Sequence, residues 1–171
     1  MLTVTIVNSN DANRIANFLA RNSSCFIPPL CERINLFDYA NKLSQKAVNI
    51  FLIYEKNDVG HAGFYVNKPP SAFLSTFCID YAFKGMSLGK KLLLEVIVSC
   101  KKHHCKTIYL EVSLKNQIAQ KFYLSKNFII VKTNDETIIM TREIATDPIN
   151  RTFCIDDRQP QTNSPPQNDI N

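Results

Sequence analysis

The chain reads as a mixed α/β (α+β) domain, and three observations predict it. Segments with period-two alternation and β-branched residues are interspersed with segments of helical apolar spacing, in the order β-α-α-β-β-β-α-β-α-β-β. The length is 171 residues, short of the ~250 at which one core splits into domains. Hydrophobic residues make up 45% and charged residues 20%, enough apolar surface for a buried core.

The elements follow in order. Leu2-Thr-Val-Thr-Ile-Val7 alternates and is β-branched, so it predicts a strand. Asp11 is a candidate N-cap for a helix whose inner face is Ile15, Phe18 and Leu19. Ser23 to Arg33 holds Pro28-Pro29 and two cysteines and predicts a loop or short turn. Leu36, Tyr39, Ala40 and Leu43 predict a second short helix. Strands follow at 50–54 and 59–66, separated by a turn over Lys56-Asn-Asp58. After Pro69-Pro70, Ala72 to Phe83 predicts a longer strand. A loop with Gly85 and Gly89 leads into a helix over 88–103, its inner side Leu92, Leu93, Val96, Ile97 and Cys100. A strand over 107–112, a helix over 116–126 and two pairing strands at 128–131 and 137–140 complete the order.

From about Ala145 the composition shifts to Pro, Asn, Gln, Asp and Ser, with four of the eight prolines. The expected organisation is a folded domain over 1–144 and a flexible tail over 145–171. The net charge of +5 hides an asymmetry: from Glu143 onward five acids face two bases, a balance of −3, which leaves +8 on residues 1–142. A basic domain suits an anionic partner such as a phosphate-rich cofactor, and plain solubility explains it equally.

No apolar run approaches the ~18 residues of a membrane span, and no secretory pattern opens the chain. A cytoplasmic protein without membrane contact is expected, its six cysteines as free thiols. Cys100, His103, His104 and Cys105 cluster, but their spacing fits no zinc pattern, so no metal is expected. A nucleic-acid partner is not expected either, for want of a helix-turn-helix signature or an aromatic platform.

Chemistry concentrates in Phe83-Lys-Gly-Met-Ser-Leu-Gly-Lys-Lys-Leu92, which follows a strand and opens a helix. There, backbone N–H groups and the helix dipole can bind phosphate, with Lys84, Lys90 and Lys91 alongside. A Walker loop fails, because only three residues separate the glycines and Lys91 follows Lys90. A Gly-x-Gly-x-x-Gly dinucleotide fingerprint is absent as well.

Over roughly 48–131 the sequence resembles the GNAT family of N-acetyltransferases, small bacterial members included. The resemblance rests on Lys84, Gly85, Met86, Ser87, Leu88 and Gly89 in place of the family's acetyl-CoA loop, Arg/Gln-x-x-Gly-x-Gly/Ala. It rests also on the ordered series Leu110-Glu-Val112, Asn116, Ala119, Phe122-Tyr123 and Asn127-Phe128. Ser87 stands at a family glycine, and Lys84 keeps a charge but lacks the bidentate fork of arginine. Asn127 replaces the glycine that ends the last helix, a left-handed position where Asn is the next choice.

The resemblance implies a central, mostly antiparallel sheet splayed between its fourth and fifth strands and flanked by helices. It implies direct acetyl transfer from acetyl-CoA to a primary amine. Residues 84–89 and Lys90 would hold the pyrophosphate, the strand at Phe77, Cys78 and Ile79 the pantetheine, and Asn116 the cofactor from the next helix. A backbone N–H near Cys78 or Ile79 would polarise the thioester. Tyr123 matches the family's general acid, with a free pKa of ~10 above that of a thiol. Glu111 is the first choice of general base, with Asp80, His61 and a water-mediated path left open. Cys78 lacks a spaced His or Asp partner for covalent catalysis.

Acceptor selectivity is expected from Phe26-Ile-Pro-Pro-Leu30 and Arg33, which could bind a carboxylate or phosphate. A small metabolite or sugar-nucleotide amine is favoured. A protein N-terminus or lysine, and a non-catalytic acetyl-CoA-binding module, are the alternatives. Both a monomer and a homodimer are compatible with the sequence.

Overall fold

The computed structural model describes residues 3–144. The chain order is β1 (Thr5–Asn8), α1 (Ala12–Arg21), α2 (Leu30–Arg33), α3 (Leu36–Lys46), β2 (Val48–Tyr54), β3 (Asn57–Tyr65), β4 (Ser71–Ile79), α4 (Leu88–Lys102), β5 (Thr107–Ser113), α5 (Gln117–Leu124), β6 (Ile129–Thr133) and β7 (Thr137–Glu143), with 3-10 turns at Ser23–Cys25 and Tyr81–Phe83. The tail expected over 145–171 lies outside the described residues.

The strands form a single sheet in the order β1-β2-β3-β4-β5-β7-β6. Every neighbouring pair is antiparallel except β4 and β5, which run parallel. That parallel ladder joins only Ser71–Leu74 to Thr107–Leu110. Beyond it the two strands separate, although β4 continues to Ile79 and β5 to Ser113. Ser75 stands opposite no residue of β3, because Gly63 pairs with Thr76 and Phe64 with Leu74. A bulge adds local twist, and this one sits where the ladder to β5 ends.

Helices cover the sheet from two sides. Leu88, Leu92, Leu93, Val96 and Ile97 of α4 and Tyr123 of α5 pack on Ile50, Leu52, Ala62, Phe64, Leu74, Leu110 and Val112. On the other face Ile15, Phe18 and Leu19 of α1 and Ala40 and Leu43 of α3 pack on Phe51 and Cys78. The alternation within Ile50-Phe51-Leu52 thus feeds both cores. Arg14 clamps α1 to β3 through two bonds to the Asp58 carboxylate, 2.9 and 2.6 Å. Arg21 reaches Asp80 at 3.1 Å and the Asp58 carbonyl at 2.7 Å. These ties set where the chain leaves α1 and enters the 23–33 loop.

Several boundaries differ from the sequence expectation. The strand expected to reach Phe83 stops at Ile79, because the Asp80 side chain accepts from the Ala82 N–H and starts a 3-10 turn. The β2–β3 turn lies at Glu55 and Lys56, both left-handed (φ 47° and 67°), so Asn57 and Asp58 open β3 and are not part of the turn. The first strand begins at Thr5, with Thr3 and Val4 outside it, and Leu2 lies outside the described residues. The 23–33 segment, expected as loop or turn, contains the single helical turn of α2. In α5 only Tyr123 is buried, and Ile118 stands 84% exposed at its start.

Under α1 lies a fully buried polar trio. His61 Nε2 meets Asn49 Oδ1 at 3.2 Å, and its Nδ1 meets the Thr76 hydroxyl at 3.3 Å. That hydroxyl also accepts from the Gly63 N–H at 3.0 Å, so the arrangement suits a neutral ring with Nε2 protonated. Burial lowers the His61 pKa to about 3, below the ~6.5 of an unfolded histidine. Between those values the unfolded chain binds the extra proton, so stability falls as pH falls. Denaturation of wild type and His61→Gln at stepped pH should show wild type losing up to about 1.4 kcal/mol more per pH unit below pH 6. Parallel curves would remove His61 as the cause.

Candidate active site

The separation of β4 from β5 opens a cleft of about 1080 Å³. Its walls include Phe77, Cys78 and Ile79 from β4, Glu111 and Ser113 from β5, Asn116 before α5, and Tyr123. One mouth is the turn into α4, with Lys84, Gly85, Ser87, Leu88, Gly89 and Lys90. The other is bounded by Phe26 and Arg33 from the 23–33 loop and by Thr137 at the start of β7. Of the residues singled out for the site in the sequence, Met86, which is 48% exposed, does not line the cleft, and neither do Lys91, whose Nζ donates to the Val4 carbonyl at 3.3 Å, or the alternative bases Asp80 and His61.

The turn into α4 presents unpaired backbone donors. Gly85 has φ 81°, and a Cβ placed there would touch nothing within 4 Å, so glycine serves the backbone conformation and not a tight fit. Ser87 takes a left-handed conformation (φ 60°) as N-cap of α4 and makes no side-chain capping bond. Gly89 serves a close approach: a Cβ would lie 3.3 Å from the Phe122 ring. The N–H groups of residues 85–90 donate to no oxygen among the described residues. They open a fifteen-residue helix whose dipole is positive at that end. Such a cradle fits the pyrophosphate of acetyl-CoA. The β5-facing edge of β4 beyond Leu74, unpaired in the sheet, fits an extended pantetheine arm.

Tyr123 is held by rings. It stands edge-on to Phe77, Phe122 and Phe128 at 6.0, 5.3 and 5.3 Å. It is 7% exposed, and its hydroxyl makes no hydrogen bond among the described residues. Burial, and then the neighbouring Cys78, push its pKa well above the usual phenol value. Cys78 is likewise pushed up, by burial and then by Cys25, and stays a thiol. A protonated thiol is a poor nucleophile, which removes support for covalent catalysis there. Asn127 is left-handed (φ 63°), as expected of the residue that ends α5.

Glu111 lies on the face of β5 opposite the buried Leu110 and Val112. Its carboxylate accepts from the Thr137 hydroxyl at 2.5 Å, which orients it at the cleft. Asn116 also lines the cleft, with its Oδ1 engaged as N-cap by the Ala119 N–H at 3.1 Å. Of the alternative bases, His61 is sealed in its buried trio, and Asp80 holds Arg21 and the Ala82 N–H. Sequence reasoning missed Tyr39, whose hydroxyl bonds Ser75 Oγ at 2.6 Å, and Thr137. No spacing signal could have found either, because folding alone brings them to the cleft.

The model of the acetyltransferase (GNAT) family matches residues 15–128. This chain belongs to the GNAT acetyltransferase family. It is therefore an acetyl-CoA-dependent N-acetyltransferase, with acetyl-CoA as acetyl donor. No curated protein matches the sequence. Among solved structures it is similar to the ribosomal-protein-S18-alanine N-acetyltransferase of Escherichia coli, at 22% identity and TM-score 0.69 over 88% of this chain and 100% of that one. A GNAT acetyltransferase of Staphylococcus aureus Mu50 is similar at 20% and 0.69, over 83% and 99%. An Elizabethkingia anophelis GNAT enzyme with acetyl-CoA bound is similar at 14% and 0.66, over 82% and 97%. At such identities the likeness is one of fold. Among the described residues no helix is long and apolar enough to cross a membrane, and no three metal-ligating side chains converge.

The two left-handed positions in the GNAT loop predict thermal shifts of opposite sign. Ser87→Gly relieves a conformation costing roughly 1–2 kcal/mol and returns about 0.5–1 in chain entropy. The melting temperature should rise by about 1–3 °C. Gly85→Ala introduces the same strain with no contact to blame and should lower it. Differential scanning calorimetry of both variants checks the pair, and equal signs would refute the backbone account.

Proposed function

We propose that this enzyme acetylates a primary amine on a small molecule or sugar nucleotide, with Tyr123 as general acid and Glu111 as general base. The observation that carries the reading is the single cleft into which the N–H cradle, the free edge of β4, Tyr123 and Glu111 all open.

The N–H groups of residues 85–90, with Lys84 and Lys90 beside them, receive the pyrophosphate. Phe77, Cys78 and Ile79 offer the β4 backbone to the pantetheine, and Asn116 faces it from the start of α5. Acetyl-CoA supplies the activated thioester. An N–H near Cys78 or Ile79 holds the carbonyl oxygen as it gains negative charge. Tyr123, kept protonated by burial, donates to the departing thiolate. Glu111, steered by Thr137, takes the proton that the acceptor ammonium must lose before attack.

Phe26 and Arg33 bound the acceptor mouth. The free thiols Cys25, Cys31, Cys78, Cys100 and Cys105 suit a reducing, cytoplasmic setting.

Tyr123→Phe should lower kcat by about a hundredfold or more while the calorimetric Kd for acetyl-CoA changes little. Unaltered turnover would take Tyr123 out of the role. Gly89→Glu, whose Cβ would press on the Phe122 ring at 3.3 Å and whose carboxylate adds negative charge at the first turn of α4, should abolish acetyl-CoA binding while the circular dichroism spectrum persists. Retained affinity would displace the cofactor from the α4 turn.

A further inference from the structure

Apart from Lys126 over the Phe122 ring and the lysines of the α4 turn, the charges lining the cleft are arranged in opposition. One wall carries Arg33, which makes no ion pair or hydrogen bond among the described residues. Its backbone is well anchored: Leu30 is buried in the core under α1 and α3, and the Cys31 N–H donates to Ser23 Oγ at 2.8 Å. The same wall presents the Tyr39 and Ser75 hydroxyls, bonded to each other at 2.6 Å. Burial raises the Tyr39 pKa, the Ser75 bond opposes this, and the charge of Arg33 is felt there too. The other wall carries Glu111, bound to Thr137, and Glu136 in the β6–β7 turn. Neither carboxylate is in an ion pair with a described residue.

An ammonium without an anionic group would satisfy the carboxylates and leave the guanidinium facing nothing. A polycation would set ammonium against guanidinium. A molecule with an amine at one end and an anionic group at the other complements both walls. We propose that the acceptor carries a carboxylate or phosphate in addition to its amine, read by Arg33 with the Tyr39 and Ser75 hydroxyls while the amine faces Glu111. Guanidinium forks bind both anions by the same paired N–H bonds. This inference rests on the acetyltransferase reading of the cleft and adds the chemistry of its acceptor.

Two matched pairs test it: β-alanine against β-alaninamide, and glucosamine 1-phosphate against glucosamine. The expected result is about a ten-fold or greater preference in kcat/KM for the anionic member of at least one pair. The pair that responds tells carboxylate from phosphate. Arg33→Ala should raise the KM of that substrate about ten-fold with kcat near wild type, and Arg33→Lys should restore part of it. Equal or better use of the members without an anionic group, or an unchanged KM in Arg33→Ala, overturns the proposal. So does a failure of all four amines to be acetylated by a protein that binds acetyl-CoA in calorimetry. Absence of acetyl-CoA binding would instead overturn the reading of the cleft on which the proposal stands.

Discussion

Everything in this molecule that bears on function depends on a hydrogen-bond ladder that stops. β4 and β5 pair over Ser71–Leu74 and Thr107–Leu110 and then part. Two strands of one sheet that part within the fold leave backbone N–H and C=O groups needing partners. The bulge at Ser75, on the opposite edge of β4, falls at the same level. It twists the strand away from β5 just where its free edge begins. A continuous ladder would close the cleft and pull Glu111 against β4. The sheet thus sacrifices pairing at its centre to keep one strand edge available to an extended partner.

The two faces of the sheet divide the work on either side of that opening. On one face α4 supplies the cradle, and α5 brings Tyr123 in among Phe77, Phe122 and Phe128. On the other, α1 and α3 carry the 23–33 loop and Tyr39, held by the Arg14 and Arg21 clamps. β4 belongs to both, since its side chains alternate: Phe77 and Ile79 pack with the α4 core, and Cys78 with the α1 core. A thioester laid along β4 would therefore meet the acid from one face and the acceptor from the other.

The parts of this arrangement that the sequence made legible were local. Period-two and helical spacing located every strand and the longer helices, and the β5 alternation placed Glu111 opposite Leu110 and Val112. Asn127 is assigned its left-handed role from the family glycine it replaces, and it fills that role because Asn tolerates αL. The misplaced end of β4 was also local in origin: Asp80 is a turn former whose side chain outcompeted the apolar pattern of residues 81–83. Tyr39, Ser75 and Thr137 were illegible for a different reason. Tyr39 lies 36 residues from Ser75, and Thr137 lies 26 from Glu111. Nothing in the periodicity of either segment encodes a partner on the other.

The same distinction bears on the departures of the site from the family pattern. The cradle depends on N–H groups, which every residue but proline supplies, so Ser87 in place of glycine changes backbone strain and not the inventory of donors. Lys84 stands outside the array of N–H groups at 85–90, and its amine lies over the Tyr81 ring at 5.2 Å. In the proposed binding mode its contribution is a charge near the phosphates, which does not require the arginine fork. On the proposed acceptor side the dependence is reversed, because there the discriminating groups would be side chains: Arg33, Tyr39, Glu111. In that reading donor binding is written into backbone geometry that many sequences can adopt, and acceptor choice into a few side chains that a single substitution can alter.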